Sequence, residues 1–551
     1  MQICKRPVLK HGLFAYCFPR GSTAFTCKIT GINFTAINFS SFLIVTRQNQ
    51  LFMSSYSIWK DKAEEVSFSP LREDMTVDVA IVGGGITGLT AAYILSRAGK
   101  KVAVLEARKI GEGSTGSSTG NLYCTIGSPG LHTIKSKFNE QKLKEVTESR
   151  AAAVDFIEER IREFNKDCDF RRVPWSLFTE EISGQSFVEK EKKAAEDAGL
   201  TVIENGSFPL AVKSGFIVPS QAQFNPLQYV VSLAKNISSE NCRIFEFTKV
   251  DDVDEGKVCT VTTAGGKVTA EHVIMATHSP KGIYAVHMSM GPYREYAVAV
   301  KLNGAYPEPG IWWNMLSKEH YSMRTYDTSK GKVLMVLGEM HKVGQKENNQ
   351  ECLANLERYL RERFDVATVE FTWSAQQFKA ADGIPYIGLS TGNSKTYIAT
   401  GFSADGLTYG TLASMIISDQ ILDKENKWSD TYKASRITPV ASAKEFVKEN
   451  VNVAYEFIKD HLTKKDADDL AEVMNGQGKV VEIDGKKQGV YRDKNGKLHV
   501  VSAVCTHMGC INHWNEMEKS WDCPCHGSRF SIDGEVLEGP AYAALKKMIA
   551  E

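Results

Sequence analysis

"TVDVAIVGGGITGLTAAYILSRAGKKVAVLEA", Thr76 to Ala107, decides the fold of most of this chain. It reads as strand, glycine turn, helix and second strand. Gly83, Gly85 and Gly88 stand in G-x-G-x-x-G order between the first strand and the helix. Gly83 permits a tight turn, Gly85 lets backbone approach a pyrophosphate, and Gly88 lets helix and strand pack closely. The helix start, with Ile86 and Thr87, offers unpaired N–H groups and the positive end of the helix dipole to phosphates. The second strand ends in Glu106 and Ala107. A carboxylate there accepts hydrogen bonds from ribose hydroxyls and disfavours the extra phosphate of NADP. The ordered set predicts a dinucleotide site; the alternative is a close-packed glycine turn without a ligand.

Outward from this unit lie a second Gly/Ser/Thr loop, "GEGSTGSSTGN" (Gly111 to Asn121), and two distant stretches, "ADGIPYIG" (Ala381 to Gly388) and "YIATGFSADGLTYG" (Tyr397 to Gly410). Together these motifs resemble the FAD-dependent D-amino acid oxidase and glycine oxidase family over about Thr76 to Leu422. The resemblance implies FAD as cofactor, with Glu106 on the adenosine ribose and Gly113, Ser114, Thr115 and Ser118 lining the flavin. It places the backbone of Val250 at the adenine. Asp382 and Gly383, then Gly401, Gly406, Leu407 and Thr408 would complete the site, the last group aiming amides at the flavin ring. No second strand–G-x-G-x-x-G–helix unit is found in the sequence, so electrons are expected from a bound organic substrate rather than from NADH.

The same resemblance puts a substrate under the flavin, on a sheet between the two FAD motifs. A carboxylate is held there by Arg and Tyr, because a guanidinium fork matches a carboxylate. Candidates are Tyr293 and Arg294 in "MGPYREYAVAVKL", Tyr321 and Arg324 in "HYSMRTY", and His341 in "LGEMHKVGQ". The plain readings are an Arg294–Glu295 pair, a solvated Arg324 and a turn-capping His341. The "PYREYAV" segment departs from the Lys/Arg-Gly-Gln pattern often found at that place, which leaves other primary and secondary amines open as substrates.

Near the far end runs "CTHMGCINHWNEMEKSWDCPCHGSRF", Cys505 to Phe530. Cys505-Thr506-His507 and Cys523-Pro524-Cys525-His526 provide two thiolates and two imidazoles. Such a set suits either zinc or an iron–sulfur pair with two histidines on one iron. The C-x-H spacing is tight for a zinc knuckle, and Cys510 and Cys525 sit at matched offsets beyond the first pair. "CTHMGC" and "CPCHGS" resemble the cluster loops of Rieske proteins from cytochrome bc complexes. That resemblance implies a [2Fe–2S] cluster on Cys505, His507, Cys523 and His526, a Cys510–Cys525 disulfide, sulfur hydrogen bonds from Ser528, and "EGPA" (Glu538 to Ala541) as the covering loop.

The 551 residues carry 66 basic and 66 acidic side chains, so no global field favours nucleic acid. No run of about 20 apolar residues offers a transmembrane segment. Residues 1–52 contain no Asp or Glu but do contain Lys5, Arg6, Lys10, Arg20, Lys28 and Arg47. They read as a disordered leader or a start placed too early, with Met53 opening the ordinary chain; an organelle transit peptide is the alternative. The expected organisation is an α/β FAD-binding Rossmann-like domain with an antiparallel-sheet substrate domain over 53–423. A helical linker or arm follows over 424–472, then a small all-β Rieske domain over 473–551. The expected protein is a cytoplasmic FAD-dependent dehydrogenase of an amine or amino acid that passes electrons through a Rieske cluster to an external acceptor. Rival readings are an oxidase using O2 with a structural or redox-sensing cluster, and an electron-transfer protein without its own substrate.

Overall fold

The computed structural model describes short strands within residues 16–33, and residues 57–548 except 63, 128–129, 283, 317–318 and 468. The chain divides into two units, Met1–Ser55 and Tyr56–Glu551. In the first, Tyr16–Arg20, Ala24–Ile29 and Ile32–Asn33 pair antiparallel. The sequence reading finds no strand period there, and the rest of the leader lies outside the described residues.

The second unit is built on two eight-stranded sheets. In the first sheet, Cys242–Phe245, Val102–Leu105, Met75–Val82, Gly266–Met275 and Thr396–Thr400 lie side by side in parallel. Val79, Ala80, Ile81 and Val104 have no exposed surface, as strands covered on both faces require. The helices Ile86–Arg97 and Gly406–Ile421 pack against one another and share a core with the sheet. Val250–Glu255, Cys259–Thr263 and Gly266–Met275 form a meander that extends the edge.

The second sheet runs Val366–Ala380, Met290–Leu302, Gly331–Lys342, His320–Thr328, Ile311–Met315, Arg171–Thr179, Ser214–Gln223 and Asn121–Leu122. Its long strands alternate. In Met290–Leu302, Ala297 and Ala299 join the core shared with the first sheet, while Tyr296, Val298 and Val300 pack into another core beside the helix Gln350–Arg361. This period of two sends neighbouring side chains to opposite faces of the sheet.

Two small antiparallel sheets end the described chain: Gly478–Ile483, Lys486–Arg492 and Leu498–Ser502, then His513–Asn515 through Val536–Glu538. The arm contains one 25-residue helix, Pro439–Thr463. Among the described residues no helix is long and apolar enough to cross a membrane.

Candidate cofactor and cluster sites

One cavity gathers the glycine turn and the ends of the parallel strands. Gly83, Gly85, Ile86, Thr87, Glu106 and Ala107 line it, as do Gly113, Ser114, Thr115, Ser118 and Val250. At Gly83, with φ +113°, an added Cβ would stand 2.5 Å from the Ala276 oxygen. At Gly88, which lies under the turn and outside the lining, it would stand 1.9 Å from the Gly83 oxygen. Glu106 is fixed by backbone: the Gly84 N–H donates to Oε2 at 2.7 Å and the Arg108 N–H to Oε1 at 2.8 Å. Thr115 Oγ1 accepts from the Ile86 N–H at 3.0 Å, pinning the serine-rich loop to the helix start. Arg108, Lys249 and Lys281 line the cavity too. An acid at the strand end, a helix N-terminus and these cations match ribose and pyrophosphate, so the residues fit FAD.

At the far end, Gly406 and Leu407 line the cavity where the helix Gly406–Ile421 begins. Gly401, at φ +77°, and Thr408 shape that turn without lining it. Asp382 and Gly383 stand outside the lining, and the buried Asp382 carboxylate is held by Arg436 through contacts of 2.8 and 2.9 Å. That pair ties the "ADGIPYIG" turn to the start of the arm.

The five substrate candidates go elsewhere. Tyr293 donates to Glu449 of the arm at 2.9 Å. Arg294 reaches Glu518 from its Nε at 2.6 Å and Ser374 at 2.7 Å. Tyr321 stacks on Tyr359 with ring centroids 4.0 Å apart. Arg324 is buried, and its Nη1 donates to the carbonyls of Thr119 and Gly120 at 2.8 and 2.7 Å. Burial lowers its pKa to about 9. His341 stacks on Tyr296 and bonds its hydroxyl at 3.2 Å. None of the five lines the cavity.

In Met290–Leu302 the cavity wall takes the parity opposite to Arg294. Glu295, next to Arg294, lines it with Leu337, Gln377 and Phe402. Burial pushes the Glu295 carboxyl up to about 7, against the pull of Lys379 and a hydrogen bond from Gln377. His320 Nε2 lies 3.9 Å from Glu295 Oε1, its own pKa lowered to about 4 by burial and by Lys379. Sequence reasoning missed Glu295, Gln377 and His320; the alternation of "PYREYAV" is the signal that separates Glu295 from Arg294.

In the C-terminal module, Cys505 and Cys523 are buried, with their sulfurs in contact. The rings of His507 and His526 lie 5.0 Å apart. His507 donates its Nε2–H to the Gly282 oxygen at 3.0 Å. Its Nδ1 therefore carries a lone pair, and that atom and the Nδ1 of His526 are both buried without a hydrogen-bond partner. The Cys505 thiol is held low first by the Cys523 thiol beside it, and further by the amides of His507 and Met508 and the Ser528 hydroxyl. Two sulfurs and two unpartnered imidazole nitrogens fit a His₂Cys₂ iron–sulfur cluster. Cys510, Cys523 and Cys525 offer three sulfurs within 4.8 Å of one another, but Cys510 and Cys525 are joined in a disulfide and only Cys523 keeps its lone pairs for metal.

The two sites adjoin. Val536, Leu537, Glu538 and Gly539 of the C-terminal module line the FAD cavity. Gly282, which holds His507, follows the cavity-lining Lys281. His287, which the sequence did not single out, is buried with its ring 5.1 Å from His507 and 6.5 Å from His526. Arg294 and Arg529 both bind Glu518, and Arg294 lies 3.8 Å from Glu538. These arginines hold the Glu518 carboxyl at about 2 although burial alone raises it. Its contribution to stability is thus present above the ordinary carboxylate range and is lost as pH falls toward 2. Arg294→Ala leaves a buried carboxylate short of one partner and is expected to cost about 3–5 kcal/mol. Its acid unfolding, followed by tryptophan fluorescence, should begin at higher pH than in the parent.

A family model described as FAD dependent oxidoreductase matches residues 78–420, and one described as Rieske [2Fe-2S] domain matches residues 464–548. The putative Rieske 2Fe-2S iron-sulfur protein YhfW of Bacillus subtilis is 32% identical over 498 residues, covering 89% of this chain and 97% of that protein. Gamma-glutamylputrescine oxidoreductase of Escherichia coli is 30% identical over 224 residues, covering 39% of this chain and 52% of that protein. The glycine oxidase structure from Geobacillus kaustophilus shares the fold at TM-score 0.52 and 18% identity, over 66% of this chain and 99% of that one. The chain therefore belongs to the FAD-dependent oxidoreductase family and carries, after that domain, a Rieske [2Fe–2S] domain.

Proposed function

We propose that this chain dehydrogenates a cationic amine at FAD and sends the electrons out through its own Rieske cluster. The observation that carries the reading is the shared wall: Val536 to Gly539, beside the cluster loops, line the cavity that begins at the glycine turn. When bound, FAD accepts hydride from a C–H bond next to nitrogen, and the cluster takes electrons one at a time. Everything else falls to the side chains.

Recognition of an α-carboxylate has no support from Arg294 or Arg324, whose donors already hold Glu518 and two backbone carbonyls. Glu295 is instead a buried acid in the cavity wall. As a carboxylate it pairs with the substrate ammonium and takes its proton, leaving the neutral amine that hydride loss requires. Gln377 and His320 stand beside it, His320 Nε2 at 3.9 Å. Leu337 and Phe402 keep that end of the cavity apolar, which excludes water and strengthens the pairing. The likeness to gamma-glutamylputrescine oxidoreductase, whose name contains an amine, agrees with this class.

The test is an anaerobic screen of amines and amino acids, read by bleaching of the flavin absorbance. Amines lacking an α-carboxylate should bleach it. Reduction only by α-amino acids contradicts the substrate class. With the best substrate, kcat/KM should rise with pH through about 7, because the Glu295 carboxyl, raised by burial, ionises there. Glu295→Gln should abolish that limb and lower kcat/KM about 100-fold or more.

A further inference from the structure

The helix Pro439–Thr463 is apolar on the outside and acidic on the inside. Glu449, Glu456 and Asp460 are its buried residues. Glu449 binds Lys342 at 2.6 Å and Asp460 binds His513 at 2.8 Å. On the opposite side Val440, Val447, Val451, Ile458 and Leu462 recur at steps of seven and four, which is one stripe of an α-helix. They are 92%, 58%, 62%, 59% and 78% exposed, and Tyr455 beside them is 59% exposed. Monomeric soluble proteins rarely leave such a contiguous face open. Along one edge of the stripe stand Lys444, Lys448 and Lys459, all exposed. Lys448 pairs with Glu445 of its own helix at 3.3 Å, and Lys459 pairs with Glu456 at 3.5 Å and lies 5.6 Å over the Tyr455 ring; both acids lie off the apolar stripe. At the other edge Phe457 lies against Gly509, whose neighbour Met508 is 49% exposed and adjoins His507.

We infer that this face seats the protein on an anionic lipid surface. A helix with an exposed apolar stripe and flanking lysines lies in the headgroup plane, apolar residues inserted and ammonium groups on phosphates. Charge sets aside the other occupants. A second copy would bring lysines against lysines, while the acids of the helix, Glu445, Glu449, Glu456 and Asp460, lie off the apolar stripe. The leader, residues 1–52, has no Asp or Glu and is basic as well.

Vesicle co-sedimentation of the full-length holoprotein tests this. It should pellet with vesicles of phosphatidylcholine plus phosphatidylglycerol, far less with phosphatidylcholine alone, and less as salt rises. Val451→Glu/Ile458→Glu should weaken binding at least about tenfold with flavin and iron content unchanged, and Lys444→Glu/Lys448→Glu should weaken it on anionic vesicles. The two variants keep the leader, so its own attraction to lipid cancels. Binding that both variants retain in full overturns the assignment, as does no binding to anionic vesicles. A dimer by light scattering that Val451→Glu/Ile458→Glu makes monomeric, without any lipid binding, gives the face to a second copy instead.

Discussion

A Gly88→Val chain is expected to be produced without its flavin. The Cβ alone would stand 1.9 Å from the Gly83 oxygen and 3.2 Å from Ile81 Cγ2. No rotamer relieves a clash between Cβ and backbone, so the helix Ile86–Arg97 must move off the strand Met75–Val82. Movement there displaces the N–H groups of Ile86 and Thr87 and breaks the 3.0 Å bond from Ile86 to Thr115. It also disturbs Gly84, whose N–H orients Glu106. Three parts of the FAD site therefore fail together. Gly99→Ala is the comparison: the position has φ +88°, but nothing lies within 4 Å of its Cβ. Only a backbone cost of about 1 kcal/mol is expected there, with flavin retained. Flavin released by denaturation, per mole of chain, is the measurement. A Gly88→Val protein with a full complement contradicts the account of the turn.

Cys523→Ala should separate the two cofactors. Its sulfur is buried against that of Cys505, and no other thiol can replace it, because Cys510 and Cys525 are bonded to each other. Iron and acid-labile sulfide should fall to near zero. The flavin should stay, since Cys523 is not part of the FAD cavity and the Arg294–Glu518 contact still holds the modules together. Part of the C-terminal module's stability goes with the metal, so its unfolding should occur at lower temperature. Under anaerobic conditions the variant should still be bleached by substrate, once, and then fail to pass electrons to a one-electron acceptor that the parent reduces repeatedly. Unimpaired turnover with that acceptor would place the exit elsewhere.

Much of this was legible in the sequence because it is local. The glycine turn, Glu106 and the serine-rich loop lie within about 45 consecutive residues, and spacing there is geometry. The cluster loops are equally compact, and the joined Cys510 and Cys525 match the expected pair. The substrate end was not legible. It is formed where Val366–Ala380, Met290–Leu302 and Gly331–Lys342 lie side by side, strands brought together only by the sheet. Residue type pointed to Arg294 and Arg324, but side-chain parity sends Arg294 to Glu518, and burial sends Arg324 to the carbonyls of the flavin loop. The unremarkable neighbour Glu295 faces the cavity instead. The junction of the modules was invisible for the same reason: Glu518 and Gly282 belong to no motif, and the "EGPA" motif does not say that Glu538 lines the FAD cavity.

The proposed function requires that two redox centres on one chain exchange electrons without a carrier. Anaerobic rapid-freeze EPR after mixing the holoprotein with a reducing amine decides it. The rhombic low-g signal of a histidine-ligated iron pair should grow after the flavin bleaches, at a rate independent of protein concentration. A fully bleached flavin with no such signal, or a signal whose rate scales with protein concentration, would contradict the claim.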